Sequence, residues 1–103
     1  MAMNKRIELQ RILEEILGSK NVYFQPPETI KMKYPAIVYS RSNIRNTYAG
    51  NFVYKQDYAY QVTVIDSNPV SEIVKKVSNL PMCSFSNHFV ADGLNHDVFT
   101  LFY

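Results

Sequence analysis

The side chains with the most chemical potential cluster near the C-terminal end: His88, Asp92, His96 and Asp97 fall within ten residues. Imidazole and carboxylate donors at this spacing are zinc-ligand chemistry, but zinc needs three or four donors converging at about 2 Å. A hairpin with both histidines near its mouth would deliver two. The stronger reading is that the acids support a turn and the histidines sit on a strand face. Ser84 or Ser86 with His88 would pair a nucleophile with a base. Such a pair also needs an orienting acid and oxyanion donors, and the chain has no G-x-S-x-G elbow. Cys83 beside His88 or His96 would be a thiol nucleophile. Residues 80–85 are largely apolar, however, which favours a buried and inert cysteine. Glycines occur only at 18, 50 and 93, so no phosphate-cradling loop can be built. The expectation is a chain without catalytic, cofactor-binding or metal-binding residues, and not an enzyme.

Eight tyrosines invite a different chemistry. Tyr48, Tyr54, Tyr58 and Tyr60 interleave with Arg41, Arg45 and Lys55. Aromatic faces and cations on a sheet can stack bases and neutralise phosphates. Nucleic-acid binders usually carry a strongly basic face. Here eleven basic and nine acidic side chains leave a formal charge of +2, and the lysine pairs 31/33 and 75/76 are not runs. Tyrosine also suits ordinary strands and protein interfaces. A protein interface or the core is therefore the favoured role, and a small nucleic-acid-binding domain is the alternative.

The scaffold for these residues is small. A chain of 103 residues fits a single domain over 1–103, burying roughly two-thirds of its unfolded surface. With 47% hydrophobic and 14% aromatic residues, it can fill one core without a staple. One cysteine cannot form an internal disulfide, which points to a cytoplasmic setting. No apolar run approaches the ~20 residues of a membrane span, and residues 1–10 lack the apolar stretch of a signal peptide.

Periodicity supplies the elements. Leu9, Ile12, Leu13, Ile16 and Leu17 form one apolar stripe, predicting a helix over 4–17 that ends at Gly18. Residues 22–24 read as a short strand or a core plug, and Pro26-Pro27 opens a loop through Lys33. Residues 35–46 and 52–66 read as two long strands joined by Ala49-Gly50-Asn51. In the second of these, Tyr58, Tyr60, Val62 and Val64 share a face. The outer half of this hairpin is polar and long enough to project past the domain body. Asn68 as cap and Pro69 as first residue predict a second helix, with Val70, Ile73, Val74 and Val77 as its stripe and Leu80-Pro81 as its end. Residues 83–91 and 97–103 read as a last hairpin turning at Asp92-Gly93. The expected fold is α+β: an antiparallel-rich mixed sheet with two helices packed on it, in the order α-β-β-α-β-β.

Three stretches carry a resemblance. They are Tyr23-Phe24-Gln25-Pro26-Pro27 with residues 32–39; residues 60–66 with Asn68-Pro69 and Ile73; and residues 80–85 with 91–97 and the aromatic end. Together, over about residues 7–103, they resemble small phage and prophage tail-assembly proteins of Gram-positive hosts, near the tail-completion (tail terminator) family. The resemblance implies a viral structural protein without a cofactor. It would act in head–tail joining as a ring, expected to be a hexamer, that caps the tail tube. Its partners would be its own copies and tail-tube or head-connector proteins, with no membrane. Its location would be the host cytoplasm during assembly and then the head–tail junction of the virion. A ring needs one patch to meet a different patch on the next copy. From the hairpin's length, the expected interface residues are Arg41, Arg45, Tyr48, Tyr54 and Lys55.

Overall fold

A computed structural model describes residues 5–27 and 30–103, with the side chains of residues 45, 47 and 54–56 outside the description. The architecture is α+β, two helices and a five-stranded mixed sheet that is antiparallel except at one edge. The elements are α1 (Lys5–Leu17), β1 (Val22–Phe24), β2 (Ala36–Ala49), β3 (Phe52–Asp66), α2 (Glu72–Ser78), β4 (Cys83–Ala91) and β5 (Leu94–Phe102). Their order across the sheet is β1-β2-β3-β5-β4. The short segment at Tyr23 is a strand, parallel to β2.

Both helices cover the same sheet face. Leu9 and Leu13 of α1 and Val77 of α2 meet Ile37, Tyr39, Tyr60, Val62, Val64, Phe99 and Leu101 in one buried cluster. The strand members alternate along each strand, as a period of two requires. Tyr58 packs against the same cluster, so the face expected for residues 58–64 is the core face. Fully burying a side chain of this kind contributes about 1.5–3 kcal/mol, and this cluster is what holds the five-stranded sheet and the two short helices together.

Polar groups fasten α1 to the sheet. The Tyr39 hydroxyl donates to Gln10 Oε1, and Gln10 Nε2 donates to the Val22 carbonyl at 3.0 Å. Arg6 lies 4.7 Å from the Phe24 ring centroid, a cation–π distance. At the other end of the sheet edge, the Tyr103 hydroxyl donates to Glu8 Oε2 at 3.2 Å. Among the described residues, no helix is long and apolar enough to cross a membrane.

Several boundaries differ from the sequence expectation. Residue 4 lies outside the described residues, and α1 begins at Lys5. The strand expected over 35–46 continues to Ala49, because its polar outer half pairs with β3 all the way to the turn. The second helix starts at Glu72, three residues later than Pro69 as first residue would give. Asn68 uses its side chain on the nearby backbone instead: its Oδ1 accepts from Val70 N–H at 2.9 Å, and its own N–H donates to Asp66 Oδ1. Ser71 caps the helix, its Oγ accepting from Ile73 N–H at 3.2 Å. Val70 consequently leaves the stripe and is exposed. The last strand starts at Leu94, ahead of residue 97, since a two-residue turn lets pairing begin at once.

A candidate assembly interface

The hairpin of β2 and β3 outruns the rest of the sheet. Its register runs from Ala36↔Ile65 to Ala49↔Phe52. β1 pairs with β2 only at residues 37–39, and β5 pairs with β3 only from Ala59 inward. Residues 44–58 therefore form a two-stranded ribbon with, among the described residues, no third strand on either edge. The molecule measures 50 Å in its long dimension against 29 and 25 Å in the others. Register shifts at Ser42 and near Tyr48 break the ladder twice. Bulges of this kind add local twist and redirect a strand. Ser42 Oγ donates to the Ala59 carbonyl at 3.2 Å, which anchors the first bulge at the ribbon's root.

The ribbon ends in apolar surface. Phe52 is 81% exposed, and Tyr48, Val53 and Ile44 are exposed with it. Of the residues expected at the interface, Arg41 is exposed at the root, its guanidinium 5.9 Å from the Tyr58 ring centroid. Tyr48 is at the tip, its hydroxyl accepting from Asn46 Nδ2 at 3.4 Å. The backbones of Arg45, Tyr54 and Lys55 lie in the ribbon, while their side chains lie outside the described residues. Phe52 and Val53 are not among the interface residues expected from the sequence. Their position beside Gly50-Asn51 was the available signal, because a strand start next to a projecting turn has nothing to pack on.

A second open surface lies along the β4 edge of the sheet. Among the described residues, β4 pairs with β5 alone, and residues 84–90 are all exposed. This edge contains no lysine, arginine, acid or proline, the residue types that usually discourage edge-to-edge pairing. Phe85, Phe89 and Val90 stand out from it. Phe85 meets Phe99 edge-on at 5.6 Å, and Phe89 stacks on His96 at 4.6 Å.

Where β4 begins, an apolar cleft of about 210 Å³ opens between α1, the turn after α2 and the end of β5. Its walls include Leu9, Ile12, Leu80, Met82, Leu101 and Tyr103. Burial pushes the Tyr103 phenol above its ordinary pKa, and its hydrogen bond to Glu8 adds to that. Burial likewise raises the thiol of Cys83, the next residue after Met82.

The histidine cluster does not converge. His88 pairs across the ladder with Asp97, and His96 with Phe89. Paired residues share a face and successive residues alternate, so the two imidazoles lie on opposite sides of the sheet. His88 Nε2 is 3.3 Å from Asn95 Oδ1, and His96 Nδ1 is 3.1 Å from the Leu94 carbonyl. Both histidines do sit on strand faces beside a turn whose Asp92 and Gly93 have φ of 53° and 73°. Among the described residues, no group of three His, Cys, Asp or Glu side chains is placed to share a metal ion.

Comparison with known protein families and with curated proteins finds no match to this chain.

Proposed function

We propose that this chain is a structural protein of phage tail completion and head–tail joining, whose copies form a ring on the end of the tail tube. The observation that supports this best is the ribbon of residues 44–58, which leaves the sheet unflanked and carries Phe52 81% exposed at its tip. An isolated two-stranded hairpin is marginally stable in water, and clustered exposed apolar side chains mark interaction surfaces. Both features are accounted for if the ribbon lies against another subunit. The domain also carries an unlike open surface, the β4 edge of the sheet. Two unlike patches on one molecule are the requirement for head-to-tail contacts, which close into rings when the rotation per copy divides a full turn. The sequence resemblance to tail-completion proteins supplies the biological setting: assembly in the host cytoplasm, then incorporation at the head–tail junction beside tail-tube and connector proteins.

Light scattering over a wide concentration range, followed by electron microscopy, tests the ring. A closed oligomer, expected as a hexamer, with a central opening supports the reading. A monomer at all concentrations that instead binds single-stranded nucleic acid, with affinity falling steeply in salt, replaces it with the nucleic-acid-binding alternative.

A further inference from the structure

We infer that the Phe52 tip of one copy seats in the apolar cleft of the next copy, between its α1 and the end of its β5. This rests on the head-to-tail ring proposed above and assigns the two surfaces that meet in it. The cleft measures about 210 Å³ and is walled by Leu9, Ile12, Leu80, Met82, Leu101 and Tyr103. An apolar cavity of about 150 Å³ is enough to hold a benzene ring, so a phenyl side chain fits. Phe52 is the most exposed aromatic side chain among the described residues.

A Phe52 seated in this cleft must come from another copy. The cleft lies at the root of the ribbon, where Phe102 pairs with Ala59. Phe52 is seven residues farther along β3, roughly 23 Å at about 3.3 Å per residue. A continuously paired ribbon cannot double back over that span to fill its own cleft. A second copy offers the same knob at the same reach, and an apolar knob meeting a pocket elsewhere on an identical molecule is a heterologous contact that repeats. Charge agrees with this pairing. By sequence, residues 41–58 carry Arg41, Arg45 and Lys55 against a single acid, Asp57. The cleft wall holds Glu8 through the Tyr103 hydroxyl. Beside the cleft, Met82 leads directly into β4, whose outer edge is open to a strand arriving with the tip.

The test uses the full chain. Phe52→Asp should leave the far-ultraviolet spectrum unchanged, because the side chain is solvated in the single copy. It should weaken self-association on the order of thirtyfold or more, the effect of losing a buried aromatic anchor. In a Cys83→Ser background that keeps Phe52, Asn51→Cys combined with Met82→Cys should give a disulfide-linked ladder of multimers on oxidation. Each single-cysteine variant should give no ladder beyond a dimer. If the unaltered chain forms a closed oligomer that Phe52→Asp leaves intact, or if the double variant gives no ladder, the docking is wrong while the ring stands. If the unaltered chain remains monomeric up to its solubility limit, the ring and the docking fall together.

Discussion

The Tyr39 hydroxyl donates to Gln10 Oε1 at 2.5 Å, so the second strand of the sheet is held to the middle of α1 by one short bond. Tyr39 has no exposed surface. Its ring lies 4.9 Å from Phe24 and 5.9 Å from Tyr60, and Arg6 Nη1 donates to its oxygen at 3.4 Å. Ring and hydroxyl therefore do separate jobs: the ring fills the core and the hydroxyl orients the helix.

Tyr39→Phe keeps the ring and removes only the hydroxyl. Gln10 Oε1 then loses its donor in a partly buried position, for a loss of about 1–2 kcal/mol. In a domain of this size, each kcal/mol moves the melting temperature by roughly 4–8 °C. Thermal unfolding followed by circular dichroism reads this directly. An unchanged melting temperature would mean that water replaces Gln10 at no loss.

Stability should fall in alkali, and the tyrosines set the direction. Burial raises the Tyr39 and Tyr60 phenols above the ordinary value, with Arg6 and Arg41 partly opposing it. Burial raises Tyr103 too, assisted by Glu8. A raised folded-state pKa means the folded chain keeps a proton that the unfolded chain releases. The associated stability is fully present below the unfolded phenol value of about 10 and is lost as pH rises from there through the folded values. Urea unfolding midpoints should be level up to about pH 9 and decline above about 10. Tyr39→Phe should shallow that decline. A midpoint that rises with pH across this window would contradict the assignment.

The sequence made the core legible and the interface only partly so. Leu9 and Leu13 declared themselves by helical spacing, and Tyr60, Val62 and Val64 by strand alternation, because burial acts through those periods. Asp92-Gly93 was readable because few residues tolerate two successive positive φ values. The helix start was misplaced because Asn68 and Ser71 carry the same capping chemistry, and only the path of the chain decides which one caps. Phe52 had only its place beside the Gly50-Asn51 turn to mark it as surface, and the β4 edge had no such mark. Alternating apolar residues look alike whether a neighbouring strand or helix covers them, and coverage depends on where β1 and β5 stop.

The cap assignment separates two variants. Ser71→Ala removes the acceptor for Ile73 N–H at the start of α2, at about 1 kcal/mol. Asn68→Ala removes an exposed turn contact to Val70 and should stay near 0.5 kcal/mol or below. Chemical denaturation midpoints of the two variants give the ranking. The reverse order would restore Asn68 as the cap.

The turn at Asp92-Gly93 controls the open edge. Both residues are left-handed, the geometry of a two-residue hairpin turn that matches strand twist. A Cβ placed on Gly93 meets nothing within 4 Å, so substitution there acts through backbone conformation and not through a clash. Gly93→Ala should therefore cost about 1–2 kcal/mol. Gly93→Asn should cost less, since asparagine tolerates this region. Because β4 is an edge strand of the sheet, the loss should appear first as local opening of β4. Amide hydrogen exchange should accelerate in Cys83–Ala91 while the Ile37, Val62 and Val64 amides remain protected. Uniform acceleration across the sheet would instead show that β4 and the core open as one unit, and the edge could then not be tuned without unfolding the domain.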